Sequence, residues 1–135
     1  MGGDGMALAG YYYLHQNGNL IYKRLTPDLV DEFENSSFVR RYWPCDPSDR
    51  RGAWRILIEA SANGADKARI GDLAKQWACS DEDALIYAHK EGIDLVNVEG
   101  EYRAVLDGQC GRGYSALAAL VSLYKQRVGV NHAWL

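Results

Sequence analysis

Residues 66–106, which read DKARIGDLAKQWACSDEDALIYAHKEGIDLVNVEGEYRAVL, decide the fold. Apolar residues recur at helical spacing over 67–78 and again over 80–92, which predicts two short helices. Two β-prone runs follow at 93–98 and 102–106, and Glu99-Gly100 separates them as a turn. Two helices joined by a short turn and followed by a hairpin are the order of parts in a winged helix-turn-helix.

The start of the chain predicts another β-hairpin. Two β-prone runs at 11–15 and 20–24 flank Asn17-Gly18, a pair that favours a two-residue type I′ turn. With that turn, Tyr13 lies opposite Tyr22. A two-stranded hairpin is marginally stable by itself, so one of its faces is expected to pack on the rest of the domain.

Cap and breaker residues assign the other segments. These are a helix begun by Thr26-Pro27 and ending near residue 35, an extended stretch over 36–47, a central core helix over 48–63, a third strand over 109–114 and a final helix over 115–127. The sequence therefore predicts a single α+β domain over residues 11–127. Residues 1–10 are predicted to be a flexible leader, and residues 128–135 a tail.

Composition limits the classes of function. Hydrophobic residues make up 47% of the 135 residues, which is enough for one core. The net charge of -3 provides no basic field that would attract nucleic acid or anionic lipid. No apolar run approaches the roughly 18 residues that span a bilayer, and residues 1–6 lack the pattern of a signal peptide. We therefore expect a cytoplasmic protein without a membrane segment.

Cysteine and histidine spacing argues against a metal site. Cys45, Cys79 and Cys110 form no CxxC pair, and none of the three histidines has a second ligand at metal spacing. Cys79 or His89 would be the candidate group of an enzyme. The glycines of residues 108–113 lack the spacing of a phosphate-binding loop, and a bulged edge strand explains them better. The sequence predicts no catalytic residue, metal or cofactor.

Charge separates two interpretations of the helix pair. Its second helix begins with Asp81, Glu82 and Asp83, at the position where a recognition helix approaches phosphate. Residues 66–92 hold four basic and six acidic side chains. Ile86 is expected to pack back on the first helix. The acidic start disfavours nucleic acid, which leaves a winged helix-turn-helix DNA-binding regulator as the alternative and the acidic face as a candidate surface for a protein partner.

Tyrosines on the first hairpin are a second candidate surface. Tyr11, Tyr13 and Tyr22 lie on its two strands, and exposed tyrosines are typical anchors of protein interfaces. A free edge of this hairpin would also allow a second copy to pair with it as a homodimer. The alternative is that the C-terminal hairpin and helix cover both faces of the hairpin.

Arginines concentrate around Trp43 and Trp54. They are Arg40, Arg41, Arg50, Arg51 and Arg55. Arginine beside aromatic rings suits RNA, DNA or an acidic partner. The alternative, which we favour, is that these arginines pair with Asp46, Asp49 and Glu59 and cover the rings with their aliphatic stems.

Several short motifs extend over residues 11–125. They are YYYLH at 11–15, NGNLIYK at 17–23, DRRGAW at 49–54, EA at 59–60, LAKQW at 73–77, DEDA at 81–84 and GYSAL at 113–117. In these motifs the chain resembles a family of small proteins encoded in bacteriophage and prophage genomes, to which no activity is assigned. The family has a longer connection before its final helix than residues 108–113 provide, which puts the third strand in doubt. The resemblance implies a phage or prophage origin and a cytoplasmic setting, and it brings no catalytic residues.

These observations predict a non-enzymatic accessory protein of phage or prophage origin that binds another protein. The surface would be the exposed aromatics or the acidic helix start. The candidate interaction residues are Tyr11, Tyr13, Tyr22, Trp43, Arg40, Arg41, Arg51, Asp81, Glu82 and Asp83.

Overall fold

A computed structural model describes residues 9–46 and 48–131. Over these residues the chain forms helices and two three-stranded antiparallel sheets, which confirms the α+β prediction. In chain order the elements are β1 Gly10–His15, β2 Leu20–Arg24, α1 Leu29–Asn35, β3 Val39–Cys45, α2 Arg50–Ala62, α3 Lys67–Gln76, α4 Asp81–Lys90, β4 Asp94–Val98, β5 Glu101–Leu106, β6 Gln109–Gly113 and α5 Ala116–Asn131. No helix of the described residues has the length and apolarity needed to cross a membrane.

The β1–β2 hairpin closes one residue away from the predicted register. Tyr13 pairs with Ile21 rather than with Tyr22. The predicted type I′ turn is wrong because φ is positive at Gly18 (96°) but not at Asn17. The Gly18 N–H donates to the His15 carbonyl at 2.9 Å, and the Asn17 side-chain oxygen accepts the backbone N–H two residues further on at 3.0 Å. Asn17 therefore stabilises a wider loop that needs only one left-handed residue.

The extended stretch at 36–47 contains strand β3, which pairs with β1. The sheet order is β2-β1-β3, so β1 is central and neither of its edges is free. The helix predicted to begin at Thr26-Pro27 begins only at Leu29, because residues 26–28 form a turn in which the Leu29 N–H donates to the Thr26 carbonyl at 3.2 Å. Phe33 and Leu29 of α1 are buried against the face of this sheet that carries Tyr11.

The main core lies between the other face of the first sheet, the helices α2 to α5 and the second sheet. Its largest fully buried side chains are Trp54, Leu14, Ile56, Leu57, Leu73 and Leu123. Helix α2 supplies three of these, which confirms it as the central core helix. Helix α5 begins at the predicted cap, where the Ser115 hydroxyl accepts the Ala118 N–H at 3.1 Å. It continues to Asn131, beyond the end predicted near residue 127.

The second sheet has the order β4-β5-β6, so the third strand is present despite its glycines. The β4–β5 turn has positive φ at both central residues, Glu99 (52°) and Gly100 (87°), as a type I′ turn requires. The predicted bulges in β6 are wrong, since its register with β5 is regular. Gly111 is required for a different reason, because a Cβ there would overlap the backbone of Ala119 and Leu123 in α5.

The predicted leader and tail differ from the observed boundaries at the residues that can be compared. Gly10 belongs to β1, and the Ala9 carbonyl accepts the Leu25 N–H at 3.1 Å. At the other end, 128–131 continue helix α5. The remainder of both predicted segments, 1–8 and 132–135, lies outside the described residues.

Candidate functional site

The turn between α3 and α4 is built as the sequence predicts. Ala78 has φ 54°, and the Cys79 N–H donates to the Ala74 carbonyl at 2.8 Å, which ends the first helix. The Ser80 hydroxyl then accepts the Asp83 N–H at 3.2 Å and begins α4. The β4–β5 hairpin follows, so the order of a winged helix-turn-helix is present.

An arginine from α2 holds this turn in place. The Arg50 guanidinium donates to the carbonyls of Trp77 and Ala78 at the end of α3 and to the carboxylate of Asp83 in α4. The Trp54 indole N–H donates to the same Asp83 oxygen at 2.7 Å. Partial burial by itself would raise the pKa of Asp83, but the hydrogen bonds from Trp54 and Arg50 outweigh it, and this pKa lies below its usual value. Asp83 therefore joins α4 to α2, and Arg50 extends this contact to the end of α3.

The acidic start of α4 is largely used inside the molecule. The Asp81 carboxylate accepts the backbone N–H of Ala116 at 3.0 Å and so caps the N-terminus of α5. Asp83 is occupied by Arg50 and Trp54. Two of the three carboxylates predicted to be free therefore have partners inside the molecule, although Asp81, like Glu82, is still exposed.

The exposed face of α4 is apolar at its centre. Leu85 is 45% exposed and Ile86 58% exposed, between Glu82 and His89, which are also exposed. These four positions lie within about 100° of arc on a helix of 3.6 residues per turn; we call them the α4 stripe. The prediction that Ile86 packs back on α3 is wrong. Two small residues, Ala84 and Ala88, face the core instead.

Arg41 and Arg55 form ion pairs with Glu59, one of the three predicted acids. Arg50 and Arg51 pair instead with Asp83 and Glu91, which were not predicted. The carboxylate of Glu59, whose side chain is 9% exposed, accepts from Arg41 at 3.2 Å, from Arg55 at 3.3 Å and from the Trp43 indole N–H at 3.1 Å. Arg41 also lies over the Trp43 ring, 5.8 Å from its centroid. Trp43 is buried, so it is a partner of Glu59 and not a surface anchor.

Two other arginines of this region, Arg40 and Arg51, do not pair with Glu59. Arg51 pairs with Glu91 at 2.8 Å, and Arg40 is exposed near Gly64. Two adjoining grooves share Arg51, Arg55 and Glu59 in their lining, and one of them is also lined by Tyr87. Burial raises the pKa of Tyr87 to about 12, so this phenol is a neutral donor at physiological pH. The arginine and tyrosine side chains that line these grooves therefore lie near two carboxylates, Glu59 and Glu91, that are already paired with arginine.

The predicted tyrosine surface is mostly covered. Tyr11 and Tyr13 are half-buried, and their ring centroids lie 6.0 and 5.2 Å from that of Phe33 in α1. Tyr22 is 40% exposed on the edge strand β2, where its ring packs on Tyr12 at 5.3 Å. The covering element is α1, whose role the sequence analysis missed.

The candidate catalytic groups are not assembled into a site. Cys79 is buried, and burial raises the pKa of its thiol, which opposes a nucleophilic role. His89 lies on the exposed α4 stripe. Among residues 9–46 and 48–131 no three His, Cys, Asp or Glu side chains are grouped closely enough to hold a metal ion. The glycines of residues 108–113 include Gly111 and Gly113, which pack against α5 rather than opening a phosphate loop.

Comparisons with family models, with curated proteins and with solved structures gave no match.

Two features of the site could not be identified from sequence alone, because the burial of Glu59 and the contact between Asp81 and α5 depend on long-range packing. The exposure of Ile86 had a local signal. With Ala84 and Ala88 taken as the inward positions, four residues apart, Ile86 falls on the opposite side of α4 and Leu85 at the edge of the inward face.

Proposed function

We propose that the chain is a non-enzymatic accessory protein that binds another polypeptide through the α4 stripe. The observation that carries the proposal is the exposure of Leu85 (45%) and Ile86 (58%) at the centre of this helix. Large apolar side chains exposed together on a helix are typical of helix-in-groove and helix-on-helix recognition. Apolar side chains of a partner would cover Leu85 and Ile86 and remove them from water.

Charge supports a polypeptide over duplex DNA as the ligand. The α4 stripe offers one carboxylate, two apolar side chains and one imidazole, and Lys90 is the only lysine or arginine in α4. In the hairpin that corresponds to the wing, Arg103 is paired with Glu101 at 3.0 Å. Most non-specific affinity for DNA comes from unpaired basic side chains facing phosphate, and this face offers few.

The phage or prophage origin and the cytoplasmic setting are part of the same proposal. They rest on the motif resemblance, which extends over residues 11–125. They imply that the gene lies among phage genes in a bacterial chromosome or phage genome.

Affinity capture from a lysate of cells that carry the gene tests the α4 stripe. The test variant replaces both central residues (Leu85→Ser with Ile86→Ser), and the matched control is Val30→Ser, which removes an apolar side chain 38% exposed on α1. We expect the unmodified protein and the control to retain one common partner, and the test variant to lose it by about tenfold or more. Equal capture by all three proteins would contradict the proposed site.

A gel shift with random duplex DNA at low salt addresses the alternative function. Even non-specific DNA-binding proteins bind duplex DNA under these conditions, so the test is sensitive. We expect no retarded complex, because the face that includes α4 offers few unpaired basic side chains. Retardation that the Leu85→Ser, Ile86→Ser variant abolishes would overturn the proposal in favour of a winged helix-turn-helix regulator.

A further inference from the structure

We infer that the α4 stripe binds a second copy of this chain, with the two α4 helices antiparallel across a twofold axis. This inference rests on the proposed function, since it names the partner of the same surface. A homodimer interface is isologous, so the surface must complement itself when rotated by half a turn. The α4 stripe meets this condition in both its apolar and its charged positions.

The apolar positions of the stripe are placed symmetrically. Helix α4 runs from Asp81 to Lys90, and its midpoint lies between Leu85 and Ile86. When a second α4 is laid antiparallel about that midpoint, Leu85 of each copy lies opposite Ile86 of the other. Both side chains are exposed in the single chain, so the contact removes apolar surface from water at the centre of the pair.

The charged positions favour an antiparallel pair of α4 helices over a parallel pair. In the antiparallel arrangement Glu82 lies opposite His89 of the second copy, with Lys90 beside it. A parallel pair would instead place Glu82 against Glu82. The two neighbouring carboxylates do not disturb this pattern, because Asp81 caps α5 and Asp83 is held by Arg50 and Trp54. The stripe therefore has a carboxylate at one end and, at the other, an imidazole followed by the ammonium group of Lys90.

The tyrosine hairpin is a weaker candidate for self-association. Strand β1 is central in its sheet, so only the outer edge of β2 is free in that hairpin. Two of the tyrosines of β1 are covered by α1. Strand β2 ends in Lys23 and Arg24, and charged side chains on an edge strand oppose pairing with a second strand.

Sedimentation velocity over a concentration series tests the inference with two charge reversals. In Glu82→Lys the introduced ammonium group would face His89 of the second copy, and in His89→Glu the introduced carboxylate would face Glu82 of the second copy. We expect each variant to dimerise about tenfold or more weakly than the unmodified chain. The unmodified dimer is expected to dissociate at roughly micromolar to millimolar concentration, since one helix pair is smaller than the interfaces of stable complexes.

An equimolar mixture of the two variants is the decisive sample. In a mixed pair the introduced lysine faces the introduced glutamate, and the unchanged His89 of one copy faces the unchanged Glu82 of the other. The dimer should therefore recover, although each variant alone dimerises poorly. His89→Lys should tighten the dimer of the single protein, a gain that misfolding does not produce. Asp72→Lys is the control, because it makes the same charge change on the exposed side of α3 and should leave dimerisation unchanged.

Three results would overturn the inference: an unmodified chain that stays monomeric at millimolar concentration, charge reversals that dimerise normally, or a mixture that does not recover. If the chain is monomeric but capture of another protein still depends on Leu85 and Ile86, the inference fails and the proposed function stands. If neither dimerisation nor capture depends on them, both fail.

Discussion

The contact between strand β3 and helix α2 depends on one buried side chain, Glu59. Its two carboxylate oxygens accept from Arg41, Arg55 and Trp43, and they join strand β3 to helix α2. Burying a carboxylate costs free energy that these donors offset, so the cluster stabilises the fold only while it is complete. Sequence analysis named Glu59 as one of the acids that pair with the arginines. It could not identify the site, because the spacing of residues along the chain does not report burial.

Removing this carboxylate should destabilise the protein. We expect Glu59→Ala to lower the free energy of unfolding by about 2–3 kcal/mol, because it leaves Arg41 and the Trp43 indole without their acceptor. Glu59→Gln, which keeps an acceptor, should cost less. Urea unfolding measures both changes. The control is Glu32→Ala, whose pair with Lys23 is about half exposed on both sides and should matter by less than about 0.5 kcal/mol. Equal losses in the two alanine variants would contradict this account.

At the scale of elements, local signals in the sequence were sufficient for most helices and both hairpins. Ser80 and Ser115 form the predicted caps, and Glu99-Gly100 forms the predicted turn. Two of the errors occurred where a distant element decides, whereas the register of the first hairpin is set by its own loop. The strand β3 exists because β1 offers it an edge, and Ile86 points outward because the core has room only for alanine on that side of α4.

A substitution at Gly111 tests the close packing of β6 on α5. We expect Gly111→Ala to cost about 1–3 kcal/mol in urea unfolding, because the added Cβ meets backbone atoms that cannot rotate away. Gly71→Ala is the matched control within α3, where no atom lies within 4 Å of the added Cβ. That change should stabilise the protein by about 0.5–1 kcal/mol, because alanine is the better helix former. The prediction fails if the two substitutions have the same sign.

At the scale of the whole molecule, the main core joins both sheets through α2 and α5, and α1 covers a smaller cluster on the outer side of the first sheet. The α+β class followed from the order of hairpins and helices. The division of the buried side chains into a main core and a smaller cluster under α1 did not follow from the sequence, because it depends on which face of a sheet each helix covers. Asp83 ties α4 to the central helix α2 within this arrangement, so its protonation should affect unfolding of the entire chain.

Acidification should remove the stabilisation that Asp83 provides. Its pKa in the folded protein lies below the ordinary value of about 3.9, so this contribution is present at neutral pH and is lost as the pH falls through the folded-state pKa. We expect Asp83→Asn to be less stable than the unmodified protein near pH 7, and the gap to narrow towards about pH 3. Trp54→Phe, which removes one donor to this carboxylate, should show part of the same effect. A gap that stays constant in urea unfolding from about pH 7 to about pH 3 would refute the assignment.

The burial of two thiols has a practical consequence for the purified protein. Burial raises the pKa of both Cys45 and Cys79, so little of either is thiolate near neutral pH, and thiolate is the form that oxidises and reacts with alkylating reagents. We therefore expect slow air oxidation at these two positions. Disulfide bonds between copies of the chain should therefore form only slowly through Cys45 and Cys79.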